Sequence, residues 1–233
     1  MKVRTTLAAT AAAASFALSA CSGHGGGDAS ALLAKSSEAM KALTGAHVVI
    51  DTQGKIPNVT MTKLSADVQG KPTVAANGDV TLRMGGDDTK DAKVIYVDGK
   101  LYSDAAEPGK FVDYGKGDSI YDLGVLFDPA NGLANAVGKI KDAKTDGTET
   151  IGGVATTKVT GTISSNDAAQ LAGSRKAPQN AKEFPITVWI SNGSPAYLVK
   201  AEVKPTDDSD MTMTLSDFGK TVSVQKPQIQ NPS

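Results

Sequence analysis

The 233-residue chain has few of the side chains on which metal sites and disulfides depend. It contains one cysteine, Cys21, and two histidines, His24 and His47. A single cysteine forms no internal disulfide, so the folded part must be stabilised by its own apolar core. These three side chains are also too few for a zinc site. We therefore expect no metal and no cofactor.

Catalytic motifs are scarce as well. Nucleophilic catalysis needs an activated nucleophile beside a base. The predicted folded region contains only one histidine, His47, and no Gly-x-Ser-x-Gly motif. His47 is most simply explained as a residue at the start of a strand that makes a local hydrogen bond. The acidic runs at 87–91 and 207–210 lack the central glycine and distal glutamate of an EF-hand loop, so solvated hairpin tips explain them better than calcium does. We predict no catalytic residue and no enzymatic activity.

Charge is balanced, and aromatic residues make up only 5% of the chain. There are 24 basic and 25 acidic residues. Loss of the predicted leader would remove Lys2 and Arg4 and leave a net charge of about −3. Nucleic-acid-binding proteins concentrate basic residues on one face, so we expect no nucleic-acid partner.

The amino terminus predicts an exported lipoprotein. Two basic residues precede an apolar stretch from Leu7 to Leu18, which is too short to span a membrane as a helix. The stretch ends at Leu18-Ser19-Ala20-Cys21, which matches the bacterial lipobox, where diacylglycerol is attached to the cysteine and the chain is cleaved before it. Two or three acyl chains give stable membrane anchoring. Cys21 is therefore the predicted lipidation site; an ordinary secretory signal that happens to contain a cysteine is the alternative.

The sequence predicts three parts. Residues 1–20 are the signal peptide, 21–30 a lipidated flexible tether rich in glycine, and 31–233 a single domain. A chain of this length fits one domain, and no internal repeat or break in composition marks a second. We expect the protein on the extracytoplasmic side of the cell membrane or envelope, held there by lipid.

Hydrophobic periodicity predicts an α+β fold. Apolar residues from Leu32 to Leu43 recur at spacings of three and four, which predicts an amphipathic helix ended by Gly45. Helical turns are predicted at 118–127, 128–140 and 167–172, with Lys139, Lys141 and Lys144 at a solvated helix end; their alternative role is contact with anionic headgroups. Strands joined by hairpins, with one apolar and one wet face, favour an antiparallel sheet covered by these helices. They are predicted at 48–50, 64–68, 79–84, 156–163, 184–190, 197–203 and 211–215.

Six segments along almost the whole predicted mature chain carry a family resemblance. They are Gly54-Lys55-Ile56-Pro57, Thr62-Lys63-Leu64-Ser65-Ala66-Asp67, Tyr96-Val97-Asp98-Gly99-Lys100-Leu101-Tyr102, Asp128-Pro129-Ala130-Asn131-Gly132-Leu133-Ala134-Asn135, Thr156-Thr157-Lys158-Val159-Thr160-Gly161 and Thr187-Val188-Trp189-Ile190. In this order they resemble the mycobacterial LppX/LprG/LprA lipoproteins, and residues 171–175 add to the likeness.

The resemblance implies a strongly curved antiparallel sheet, like a half-barrel, with helices across its concave face and an apolar cavity between them. It further implies a carrier that binds acylated lipids or glycolipids, of the lipoglycan, phosphatidylinositol mannoside or triacylglycerol type, and moves them between envelope layers without catalysis. The resemblance also makes the host receptor TLR2 a candidate partner, through the acyl chains of the protein. A membrane transporter that loads the lipid is a further candidate partner.

A lipid carrier must enclose the acyl chains, because exposing some tens of methylenes costs tens of kcal/mol at about 0.8 kcal/mol each. A one-sided apolar sheet under helices can do this if the helices do not pack down completely. If they do, the same residues form an ordinary core, and the alternative function is a surface structural or interaction lipoprotein with a protein partner. The candidate cavity residues are Val48, Ile50, Leu64, Val80, Leu82, Met84, Leu123, Phe127, Leu133, Val137, Val188, Val199 and Met213.

Overall fold

The computed structural model describes residues 25–56, 59–86, 88–171 and 181–230. It contains a single sheet of eleven strands. The strands are β1 (Gly45–Gln53), β2 (Met61–Gln69), β3 (Ala75–Gly85), β4 (Asp88–Val97), β5 (Lys100–Glu107), β6 (Lys110–Lys116), β7 (Lys141–Ile151), β8 (Val154–Ser164), β9 (Glu183–Ser191), β10 (Leu198–Thr206) and β11 (Ser209–Ser216).

The sheet is built from two meanders. Their order is β6-β5-β4-β3-β2-β1-β11-β10-β9-β8-β7, and every neighbouring pair is antiparallel. The first and last strands of the chain meet in the middle of the sheet, which leaves β6 and β7 at the two edges. The sheet is curved and does not close. This arrangement confirms the predicted fold class.

Within the described part of the chain, three α-helices lie on one face of the sheet. They are α1 (Gly25–Lys41), α2 (Leu133–Gly138) and α3 (Ser165–Leu171). α1 packs against α2 and β7, whereas α3 packs against α2, β8 and β9. The turns predicted at 118–127 are short 3₁₀ helices, Gly117–Ser119 and Leu123–Phe127. We call the covered side of the sheet the inner face and the other side the outer face.

α1 begins earlier than the sequence predicts. Residues 25–30, expected in the flexible tether, form its first turns. Ala29 is fully buried and Leu33 nearly so, which shows that these turns are held by contact with the rest of the domain. Such packing outweighs the low helix propensity of glycine. The predicted signal peptide, Cys21 and the rest of the tether lie outside the described residues.

The connection from β6 to β7 passes over the inner face and returns at the opposite edge. Its last part, expected to be helical from 128 to 140, is shorter: α2 ends at Gly138 and Lys139 is its C-cap residue. Lys141 and Lys144 lie on β7, not at a helix end. β7 is exposed along most of its length, so its sequence lacks the apolar alternation that identifies a strand.

The carboxy-terminal segment runs from the centre of the sheet to its edge. The backbone N–H of Val222 donates to the Gln69 side chain at 3.0 Å. Further on, Ile229 forms a bridge with Phe111, and the Gln230 N–H donates to the Phe111 carbonyl at 3.1 Å. Phe111 belongs to β6, so the end of the chain pairs with part of this edge strand, which otherwise offers unpaired backbone groups.

Candidate functional site

A continuous row of apolar side chains crosses the inner face. Cross-strand pairing places Leu64 opposite both Val80 and Ile50, and Ile50 opposite Met213. Ala201 then lies between Met213 and Val188. Because directly opposed residues share a face, this register brings side chains from β3 to β9 into one row. The predicted residues Val48, Ile50, Leu64, Val80, Val188 and Met213 all belong to one buried cluster.

The elements above the row add the predicted helical residues to the same cluster. Leu123 and Phe127 lie on the second 3₁₀ helix, and Leu133 and Val137 lie one turn apart on α2. All four are buried in the cluster. The structure therefore brings together residues far apart in sequence, and their role in binding a lipid stays a prediction.

Three predicted residues lie elsewhere. Leu82 is only partly buried, although it packs against the cluster. Met84 is 63% exposed at the end of β3, beyond the covering elements. Val199 is buried but lies outside the cluster, because a bulge between Leu198 and Lys200 shifts the alternation of β10 by one residue. Leu198, opposite Ile190, takes the inner position that the sequence assigns to Val199.

One end of the inner face is closed by residues 117–127, which we call the crossover segment. Gly117 lies against the Tyr96 ring of β4, where an added Cβ would come within 2.2 Å of the ring. A Cβ on Gly124 would lie 2.7 Å from Val74, just before β3. Phe127 packs in the same way on Gly70, just after β2. The crossover segment therefore contacts the ends of three strands, and glycine at these positions leaves room for the side chain packed against it.

The other part of the inner face, on β2–β5, is apolar but incompletely buried. We call it the apolar trough and define it by five partly buried residues that pack against the cluster: Met61, Leu82, Val94, Leu101 and Ala105. The register sets Leu82 opposite Met61, and Leu101 opposite Tyr96. The trough is bordered at one end by the crossover segment, and the exposed Met84 lies toward the other. The trough thus offers apolar area that the described elements do not fully cover.

Two hydroxyl groups are buried without a hydrogen-bond partner among the described residues. They are the Oγ of Ser36 on α1 and the Oη of Tyr121 in the crossover segment. Tyr121 as a whole residue is partly exposed, whereas its hydroxyl is enclosed. Burial raises the pKa of the Tyr121 phenol, and neither a hydrogen bond nor a charged neighbour contributes to the shift. Burial therefore favours the protonated form of this phenol.

The polar groups of the outer face form ordinary ion pairs. The His47 ring makes a hydrogen bond of 2.7 Å to Asp67, so it is held locally, as predicted. Lys220 lies 3.0 Å from the same carboxylate. Burial acts to raise the pKa of Asp67, but the hydrogen bonds from His47 and Lys220 outweigh it and lower the pKa. Among the described residues, no three acidic, histidine or cysteine side chains are close enough to hold a metal.

Two pockets are lined by described residues, and neither contains a predicted cavity residue. One of about 510 Å³ lies beneath the carboxy-terminal segment, between residues 73–75, 96–99 and 222–224. The other, of about 290 Å³, lies between β3 and β4 beside Phe111. Among the described helices, none has the length and hydropathy needed to cross a membrane.

Known proteins resemble this chain over most of its length. The LppX_LprAFG lipoprotein family matches residues 28–224. Lipoprotein LprA of Mycobacterium tuberculosis is 45% identical over 201 residues, which cover 86% of this chain and 82% of that protein. The lipoarabinomannan carrier protein LprG of Mycolicibacterium smegmatis is 35% identical over 200 residues, which cover 86% of this chain and 83% of that protein.

Solved structures show the same fold. The crystal structure of LprF from Mycobacterium bovis has a TM-score of 0.76 and 28% identity, covering 88% of this chain and 99% of that one. The crystal structure of LppX from Mycobacterium tuberculosis has a TM-score of 0.63 and 23% identity, covering 85% of this chain and 99% of that one. Sequence and fold agree with the resemblance identified from the six segments. The chain belongs to the LppX_LprAFG lipoprotein family.

Proposed function

We propose that this protein binds an acylated lipid or glycolipid on the inner face of its sheet and carries it within the cell envelope. The observation that carries the proposal is the apolar trough on β2–β5, whose side chains pack against the core yet stay partly exposed. A relative that is 35% identical to this chain is named a lipoarabinomannan carrier protein. This name supports a ligand with a glycan headgroup.

The trough has suitable dimensions for acyl chains. Neighbouring strands lie about 4.8 Å apart, so the four strands β2–β5 span roughly 14 Å. β3 has 11 residues, which at about 3.3 Å each give a strand length of roughly 35 Å, an upper limit for the length of the trough. Each methylene that leaves water for such a surface contributes about 0.8 kcal/mol. An acyl chain that lies on the trough therefore stays partly shielded from water while the protein carries it.

Membrane attachment through acyl chains on Cys21 forms the second part of the proposal. The anchored protein would face outward from the cell membrane, where its lipid ligands are found. In this setting no chemical step is needed, because the lipid moves from the apolar interior of the membrane to the apolar surface of the protein. The candidate partners, a membrane transporter and the host receptor TLR2, would meet the protein on this outward side of the cell membrane.

Native mass spectrometry tests the binding proposal. The full mature chain, purified gently from a mycobacterial host, should carry extra mass that organic extraction identifies as lipid with acyl chains. A mass that equals the protein alone, in a sample that was never exposed to strong detergent, would contradict lipid binding. That result would favour the alternative of a surface lipoprotein with a packed core and a protein partner.

A further inference from the structure

A basic side chain lies beside the apolar trough, at the end away from the crossover segment. The register of β3 and β4 sets Lys90 directly opposite Leu82, and directly opposed residues share a face of the sheet. Lys90 is half-buried, and its Nζ donates to the Ala106 carbonyl of the neighbouring strand at 2.9 Å. Met84, two residues beyond Leu82 on β3, is exposed. Lys90 therefore lies where the trough meets solvent.

The ammonium group of Lys90 makes no ion pair with the described residues, unlike those of its neighbours. Lys93 of the same strand lies 3.2 Å from Asp79. Lys110 of β6 lies 2.5 Å from Glu107. An ammonium group has three donors, and the backbone carbonyl that Lys90 contacts takes one of them, so two remain for a ligand or for water.

This combination of an apolar surface and one cation suits a particular class of molecule. The four-carbon stem of a lysine packs on apolar surface while its charge stays in water. The stem of Lys90 then extends the trough beyond Leu82, and the ammonium group marks the boundary with solvent. An uncharged lipid forms no ion pair there, whereas an anionic group attached to acyl chains does. The site therefore fits an anionic amphiphile.

We propose that Lys90 binds the anionic phosphate of a phospholipid headgroup at this end of the trough. The inference rests on the proposed lipid binding and gives the ligand a direction. The headgroup lies at Lys90, where an attached glycan extends into solvent, and the acyl chains run along the trough toward the crossover segment. A ligand of the phosphatidylinositol mannoside type has the required phosphate, whereas a triacylglycerol has no charge for Lys90 to bind.

A competition between a charged and an uncharged lipid tests this site. The delipidated full mature chain is incubated with equal amounts of dipalmitoyl phosphatidylglycerol and dipalmitoylglycerol, which have the same acyl chains and differ in the phosphate headgroup. The bound lipids are extracted, and mass spectrometry gives the ratio of charged to uncharged lipid. Lys90→Met keeps the apolar stem and removes the charge. It should lower this ratio about two- to fivefold, as the loss of a half-exposed ion pair implies.

Lys93→Met is the matched control, because it removes the same charge from the outer face of the same strand. It should keep the wild-type ratio, and so should Lys90→Arg, which retains a cation. High salt should lower the ratio in wild type much more than in Lys90→Met, because salt screens exposed charges. An excess of glycerol phosphate, which has the phosphate without acyl chains, should leave the wild-type ratio unchanged.

Several results would overturn the headgroup site and leave lipid binding intact. They are an unchanged ratio in Lys90→Met, an equal fall in Lys93→Met or Lys90→Arg, and a wild-type ratio that does not respond to salt. Displacement of phosphatidylglycerol by glycerol phosphate would show that Lys90 takes a free phosphate rather than a lipid headgroup. Failure of wild type to bind either lipid would overturn the proposed function as well.

Discussion

At the residue scale, Asp67 links the middle of the sheet to the carboxy-terminal segment that follows β11. It lies on the outer face of β2, where His47 of β1 and Lys220 of the carboxy-terminal segment share its carboxylate. These hydrogen bonds lower the pKa of Asp67 below its ordinary value of 3.8, against the opposing effect of burial. A carboxylate with a lowered pKa stabilises the fold only while it is ionised.

The contribution of Asp67 should therefore depend on pH in the acid range. It is fully present above about pH 4 and is lost as the pH falls through the folded-state pKa. We expect Asp67→Asn to lower the free energy of unfolding at neutral pH by about 1 kcal/mol or less, because the pair is partly exposed. Urea unfolding should show the gap to wild type closing between about pH 4 and pH 2.

Asp207→Asn provides the control, since Asp207 lies exposed in the turn between β10 and β11. The control should leave the pH dependence of unfolding as in wild type. A gap between Asp67→Asn and wild type that stays constant down to pH 2 would contradict the role given to Asp67.

Two inner-face residues of β3, Val80 and Leu82, should respond differently to replacement by the larger tryptophan side chain. Val80 is buried in the apolar row, so Val80→Trp should lower the free energy of unfolding by about 1 to 3 kcal/mol or more. Leu82, two residues on, lies in the partly exposed trough. Leu82→Trp should keep near-normal stability and reduce bound lipid, because the indole occupies the space proposed for acyl chains.

Thr81→Trp is the matched control, on the outer face between the two. Thermal unfolding and the amount of co-purified lipid are measured for all three variants. If Leu82→Trp carries as much lipid as Thr81→Trp, the trough is not where the acyl chains lie. If Val80→Trp is as stable as wild type, the row at Val80 faces a void rather than a packed core.

At the scale of elements, the crossover segment depends on glycine at its contacts. Gly117→Ala would drive a methyl group into the buried Tyr96 ring. We expect this change to lower the free energy of unfolding by about 1 to 3 kcal/mol and to speed hydrogen exchange in residues 117–127. Gly193→Ala, at a position with nothing within 4 Å of the added Cβ, should change neither measurement. Wild-type exchange rates in Gly117→Ala would show that the segment is not held by this contact.

The same elements show what a sequence can and cannot predict here. β1, β2 and β11 bury mainly one face, so their alternation predicts them well. β7 buries almost nothing, and its pattern resembles a polar loop. The bulge at Val199 adds one residue to one strand, which a strict period of two cannot detect. The crossover segment and the enclosed Tyr121 hydroxyl arise from tertiary contacts between distant residues, so no local pattern indicates them.

At the scale of the whole molecule, lipid attachment and folding should be separable. Cys21 precedes the described structure, so Cys21→Ala should leave the thermal unfolding of the domain unchanged. The same variant should move from the membrane fraction to the soluble fraction after cell lysis, because its acyl chains are lost. Membrane association of Cys21→Ala that resists high salt would contradict the proposed anchor.

If Cys21 is acylated as proposed, the early start of α1 limits how far the domain can move from the membrane. Only residues 22–24 separate Cys21 from the first helical residue, Gly25. Three residues reach at most roughly 11 Å when fully extended. With an acylated Cys21, the domain would be stationed at the membrane surface and could not ferry a lipid across the envelope by itself. Delivery to a more distant layer would then require an acceptor that approaches the membrane, and the open end of the trough would have to face that acceptor.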